Sequence, residues 1–148
     1  MKTFVLVGLF VLAGRLTAAA AASEWSSAKV YKGGDGVKVV IVRLKPLEAK
    51  RALVKITGSD TNVDGAVVAH EIDEWDGKID YWTRKNGARY VTITVRDGSY
   101  EVYLPNKNGG IWLAYDEKAS SDLNPATLIE EYEKSPQNNK KLKTKEGK

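Results

Sequence analysis

Oxygen-bearing side chains recur at a fixed spacing within one twelve-residue stretch of this chain. Asp60, Asn62 and Asp64 occupy its first, third and fifth positions, Gly65 its sixth and Glu71 its twelfth. This is the spacing of an EF-hand loop, in which carboxylate and amide oxygens bind Ca²⁺. An EF-hand also needs a helix on each side, whereas the preceding β-branched residues favour a strand. We therefore keep a calcium site at these acidic and amide side chains as one alternative and otherwise expect no cofactor.

His70 is the only histidine of the chain, and the sequence contains no cysteine. Any imidazole general base must therefore be His70, while thiol nucleophiles, disulfides and zinc–thiolate sites are excluded. The sequence has no Gly-x-Ser-x-Gly elbow and no glycine-rich phosphate loop. Catalysis needs several residues that support one another, and the sequence shows only this single histidine, so a small hydrolase that uses His70 is kept as an alternative and not as the main expectation. The main expectation is a protein without catalytic activity.

One short motif points to a family. The stretch Asn86-Gly87-Ala88-Arg89-Tyr90 resembles the Ser-Gly-x-x-Tyr stretch of small periplasmic β-barrel inhibitors of c-type lysozyme. In that family the stretch enters the active-site cleft of the lysozyme and blocks its catalytic carboxylates. Asn86 replaces the serine here, and the family's cysteines and its downstream Tyr-x-x-Trp-x-Lys-Gly pattern are missing. The resemblance implies, as another alternative, an inhibitor that contacts its partner through Arg89 and Tyr90.

A hairpin over residues 88–104 is the strongest structural pattern. Asp97-Gly98 suits a two-residue turn, which needs positive φ at both positions. Counting outward from this turn places six apolar residues on one face: Val95 opposite Tyr100, Ile93 opposite Val102 and Val91 opposite Leu104. Polar residues share the other face, where Thr92 is expected opposite Tyr103. We therefore predict an antiparallel pair with one buried and one wet face.

The outer face of this hairpin is the predicted binding surface. Tyr103 offers an apolar ring with a hydroxyl group, and the following loop supplies polar side chains from Asn106, Lys107 and Asn108. Binding residues concentrate where a loop lies beside a rigid scaffold. A buried Tyr103, covered by the C-terminal helix, is the alternative. The expected partner is a protein or a glycan.

Other segments extend the sheet. Strands are predicted at residues 29–31, 37–44, 52–57, 67–72, 79–83 and 111–115, and 37–44 is apolar on both faces, which indicates cover on both sides. A two-residue turn at Asp76-Gly77 would set Asp73 opposite Asp80, so we predict a three-residue loop there, with Glu74 opposite Lys78. The fold class is therefore mainly β (α+β), an antiparallel sheet or small barrel-like meander of six to eight strands.

One short helix is expected after the sheet. Asn124 is a suitable N-cap and Pro125 a suitable first helical residue. Leu128, Ile129 and Tyr132 follow at helical spacing, so a helix ending near Lys134 should lay this apolar stripe on the sheet.

The two ends of the chain differ in composition from the middle. Residues 1–22 combine a basic start, an apolar run and five alanines, which is typical of a secretory signal peptide cleaved between Ala19 and Ser23. Residues 23–134 should form a single β-rich domain. Residues 135–148 should form a disordered tail whose five lysines contact anionic surfaces weakly; these are Lys140, Lys141, Lys143, Lys145 and Lys148.

The net positive charge of the chain is concentrated at its two ends. The formal net charge of +4 includes Lys2, Arg15 and the tail lysines, so the middle of the chain is slightly acidic and lacks a basic footprint for nucleic acid. We therefore expect an exported protein, periplasmic or extracellular, that acts as a non-catalytic binding module or as part of a bacterial envelope.

Overall fold

The computed structural model describes residues 24–136, and these form a closed antiparallel barrel. The eight strands are β1 (Lys29–Gly33), β2 (Lys38–Arg43), β3 (Arg51–Thr57), β4 (Val67–Trp75), β5 (Lys78–Lys85), β6 (Ala88–Arg96), β7 (Ser99–Tyr103) and β8 (Gly110–Tyr115). Each strand pairs with its neighbour in sequence, and β8 pairs with β1. The mainly β prediction is confirmed, with the strand number at its upper limit.

Two helices, α1 (Glu117–Asp122) and α2 (Pro125–Lys134), follow the barrel. No helix within residues 24–136 is long and apolar enough to cross a membrane. The predicted signal peptide and residues 137–148 of the predicted tail lie outside the described residues.

The barrel has one end that we call closed and one that we call open. The turns Asp76-Gly77 and Asp97-Gly98 lie at the closed end, and the turn Asn86-Gly87 lies at the open end. Inward side chains of all eight strands form one apolar cluster, since alternate residues of a strand point to the same side. Its buried members include Tyr31, Ile41, Val54, Ile72, Tyr81, Ile93, Val95 and Val102.

A second apolar cluster lies outside the barrel, on β1 to β4. Val40, Val42 and Leu53 are buried there against Leu128 of α2. Strand β2 is apolar on both faces because the barrel core covers one face and α2 covers the other, which confirms the predicted cover on both sides. Asn124 caps α2 by accepting a hydrogen bond from the Ala126 amide at 3.1 Å, so the predicted start of this helix is correct.

Helix α1 is an addition that the sequence pattern did not predict. Asp116 caps it by accepting a hydrogen bond from the Ala119 amide at 2.9 Å. The buried hydroxyl of Ser120 accepts a hydrogen bond from the Val30 amide of β1 at 2.8 Å and donates to the Asp116 carbonyl at 2.6 Å. The helix therefore supplies a partner to a strand amide that lies far away in sequence.

The β4–β5 hairpin differs from the prediction. Its turn contains only Asp76 and Gly77, with φ of 46° and 70°, so Asp73 does lie opposite Asp80. The expected three-residue loop, with Glu74 opposite Lys78, is wrong. The repulsion expected between these two carboxylates is relieved by Arg89 of β6, whose Nη1 lies 2.5 Å from Asp73 and whose Nη2 lies 3.8 Å from Asp80. A cation shared between the two carboxylates offsets their repulsion.

The central hairpin is correct next to its turn and wrong further away. The pairs Val95 with Tyr100 and Ile93 with Val102 are present, but the β6–β7 ladder stops there. The pairing of β5 with β6 moves from Tyr81 opposite Ile93 to Trp82 opposite Val91, which leaves Thr92 as an extra residue. This bulge turns Thr92 away from the predicted wet face, and its side chain is buried.

Candidate functional site

The open end of the barrel contains a cavity of about 370 Å³. Apolar residues form most of its wall, among them Val54 and Ile56 of β3, Val63 of the β3–β4 loop, Val68 of β4 and Leu104 after β7. Its size falls within the range of small-molecule sites, and eight-stranded barrels are wide enough to hold one small ligand. The cavity is the candidate functional site.

A neutral polar pair lies in the wall of this cavity. His70 Nδ1 lies 3.0 Å from the Val68 carbonyl, and Nε2 lies 2.8 Å from the Thr92 hydroxyl. Because a carbonyl can only accept, we place the proton on Nδ1, and Thr92 donates to Nε2. Burial lowers the pKa of His70 to about 4, so the ring is uncharged at neutral pH.

The mouth of the cavity carries hydrogen-bond donors. Lys85 is the last residue of β5, and its Nζ lies 5.6 Å from the ring centroid of Tyr90, which lines the cavity. Asn62 and Asn86 line the same cavity from the β3–β4 loop and from the β5–β6 turn. Asn86 and Gly87 have φ of 52° and 78°, as a two-residue turn requires. The mouth is therefore more polar than the wall.

Tyr90 and Arg89, the two residues of the lysozyme-inhibitor resemblance, point to different sides of the barrel wall. The Tyr90 hydroxyl donates to the Tyr103 carbonyl at 2.7 Å, and burial raises its pKa. Arg89 lies outside, where its guanidinium is 4.8 Å from the Trp82 ring centroid and pairs with Asp73. The structure therefore does not present these two side chains on one surface.

Tyr103 and the loop after β7 lie around the same end of the barrel. Tyr103 is among the residues that line the cavity, and burial, together with the hydrogen bond that its hydroxyl donates to Glu101 at 2.9 Å, raises the pKa of Tyr103. Helix α2 packs on β3 and β4 and does not cover it. Lys107 forms an ion pair with Asp35 at 3.1 Å, while Asn106 and Asn108 are exposed.

The predicted calcium ligands fall on a loop between two strands. Asp60, Asn62 and Asp64 lie in the β3–β4 loop, whereas Glu71 lies within β4 opposite Arg51. Asp64 accepts hydrogen bonds from the amide and hydroxyl of Ser59 at 2.8 and 2.9 Å, which lowers the pKa of its carboxyl group. Within residues 24–136, no three His, Cys, Asp or Glu side chains stand close enough to hold a metal ion.

Of the residues that the sequence pattern singled out, Asn62, His70, Tyr90 and Tyr103 line the cavity, but the cavity itself was not predicted. The signal that could have found it is the run Val68-x-His70-x-Ile72, which places a polar side chain among inward apolar residues of one strand. Such a residue needs an internal partner, and Thr92 supplies it only because of the bulge in β6.

Comparison of the chain with protein-family models, with curated proteins and with solved structures gives no match. Any function must therefore be inferred from the cavity itself.

Proposed function

We propose that this chain is an exported, non-catalytic barrel that binds one small apolar or amphipathic molecule in the cavity at its open end. The observation that carries the proposal is the cavity of about 370 Å³ with a mainly apolar wall, because burial of apolar ligand surface there is favourable. The composition of residues 1–22 supports export.

The chemistry of the wall supports binding rather than catalysis. Both ring nitrogens of His70 are engaged in hydrogen bonds, and its lowered pKa makes it a poor proton acceptor at neutral pH. Thr92, its partner, would need a stronger base to act as a nucleophile. A neutral, internally bonded pair is suited to a wall that an uncharged part of a ligand can contact.

Octanol is a suitable probe, because it is small, apolar and uncharged. We expect it to bind the full-length protein in a one-to-one complex, measured by titration calorimetry. Val68→Phe should weaken this binding at least tenfold, because the added ring occupies the cavity. Val68→Ala, which leaves more room, should bind octanol no more than threefold more weakly.

Thermal unfolding of both variants verifies that they fold. A folded Val68→Phe variant that binds octanol as the unmodified protein does would contradict the proposal, as would the absence of any octanol binding to the unmodified protein.

A further inference from the structure

We propose that the natural ligand is an amphipathic anion, whose apolar part occupies the cavity and whose carboxylate or similar head lies at the mouth against Lys85. This inference rests on the proposed function and adds the chemical class of the ligand. It follows from the distribution of charge and hydrogen-bond donors along the cavity.

The interior of the cavity offers no charge to a ligand. His70 is neutral because burial lowers its pKa, and its protonated nitrogen is already bonded to the Val68 carbonyl. An ionic group placed at this depth would lose its hydration without gaining an opposite charge. The inner part of the ligand must therefore be uncharged.

The mouth, by contrast, offers a cation and amide donors. Lys85 follows the inward-facing Thr83 by two residues on β5, so it points to the cavity side, and its ammonium stands over the Tyr90 ring. Asn62 and Asn86, which line the same cavity from the β3–β4 loop and the β5–β6 turn, carry side-chain N–H groups. An ammonium and amide N–H groups are the partners that a carboxylate accepts hydrogen bonds from.

Acidic side chains do not compete for this position. No Asp or Glu is among the described residues that line the cavity. Asp64, in the same loop as Asn62, is held by hydrogen bonds from Ser59. Asp35, at the adjacent β1–β2 connection, is paired with Lys107. Arg84 also borders the cavity, but its guanidinium donates to the Gly87 carbonyl at 3.3 Å and lies 5.8 Å from the Trp82 ring centroid, so the contact with the ligand head is assigned to Lys85.

Three eight-carbon probes with the same tail test the inference: octanoate, octanol and octylammonium. We expect the protein to bind octanoate about three- to fivefold more tightly than octanol, the range of one exposed ion pair, and octylammonium more weakly than either. Added salt should reduce the preference for octanoate and leave octanol binding nearly unchanged.

Lys85→Gln should abolish the preference for octanoate while octanol binding stays within twofold. Arg51→Gln is the matched control, because it removes one exposed cation at the closed end of the barrel and should keep the preference. Equal binding of octanoate and octanol by the unmodified protein would overturn the anionic-ligand inference and leave the proposed function standing. Failure of octanol to bind the unmodified protein would overturn the proposed function itself.

Discussion

The two ends of this barrel interior are built from the same strands, yet one is filled and the other is open. At the closed end, aromatic rings fill the space: Tyr31 stacks on Tyr100 with ring centroids 4.3 Å apart, and Tyr81 is buried close by. At the open end the corresponding positions hold smaller side chains, such as Val68 and Thr92. An eight-stranded barrel is only just wide enough for side chains to fill, so their size decides between a core and a cavity.

Strand β4 shows this change within a few residues. Its inward side chains run from Val68 at the cavity through His70 to Ile72, which is 2% exposed. Packing therefore increases along one strand, and the proposed function places stability at one end of it and binding at the other.

Ile72→Ala should destabilise the protein by about 2–5 kcal/mol, because it leaves a void in a filled interior. Val68→Ala, on the same strand, should cost less than about 1.5 kcal/mol, because its side chain already borders open space. Urea unfolding of both variants measures the difference. Equal losses would show that the open end is packed as tightly as the closed end.

The polar pair at the open end predicts a dependence of stability on pH. Burial lowers the pKa of His70 from 6.5 to about 4, so the unfolded chain takes up a proton below pH 6.5 that the folded protein does not. The free energy of unfolding should therefore fall by about 2–3 kcal/mol as the pH falls from 6.5 to 4.

His70→Gln provides the comparison, because glutamine can form hydrogen bonds and does not titrate. The difference in unfolding free energy between the two proteins should narrow as the pH falls through this window. A constant difference from pH 7 to pH 4 would show that His70 takes up a proton as readily in the folded barrel as in the unfolded chain.

The strands were predictable from the sequence because their signals are local. The alternation of Val39 and Ile41 with Val40 and Val42 lies within one segment, and the cap and apolar stripe of α2 lie within another. Turn residues likewise identified the Asp97-Gly98 hairpin next to its turn. These elements depend on neighbours in the chain, and so a single sequence is enough to find them.

The errors and omissions all involve partners that are distant in sequence. The Asp73–Asp80 pairing depends on Arg89. Helix α1 depends on the hydrogen bond that its Ser120 hydroxyl accepts from the Val30 amide of β1. The cavity needs β3, β4, β5 and β6 to meet at one end, with a bulge that turns Thr92 inward. Local patterns carry none of this information.

Arg89 should contribute to stability at the outer surface and not to binding. We expect Arg89→Gln to cost about 1 kcal/mol, because it leaves Asp73 facing Asp80, which is 2% exposed and keeps only Lys78 as an ionic partner at 3.1 Å. Adding Asp73→Asn should recover part of the loss, since the repulsion then disappears. A double-mutant cycle measures this coupling, and strictly additive losses would contradict it.

The ion pair between Lys107 and Asp35 should have the smallest effect of all. It joins the loop after β7 to the β1–β2 connection at the open end, but both side chains are well exposed, so water and salt screen their attraction. Lys107→Gln should therefore change the free energy of unfolding by less than about 0.5 kcal/mol. Octanol binding should also stay within twofold of the unmodified protein, because Lys107 is not among the residues that line the cavity. A clear loss of octanol binding in this variant would mean that the loop after β7 shapes the cavity, and that the binding site includes residues of this loop beyond Pro105.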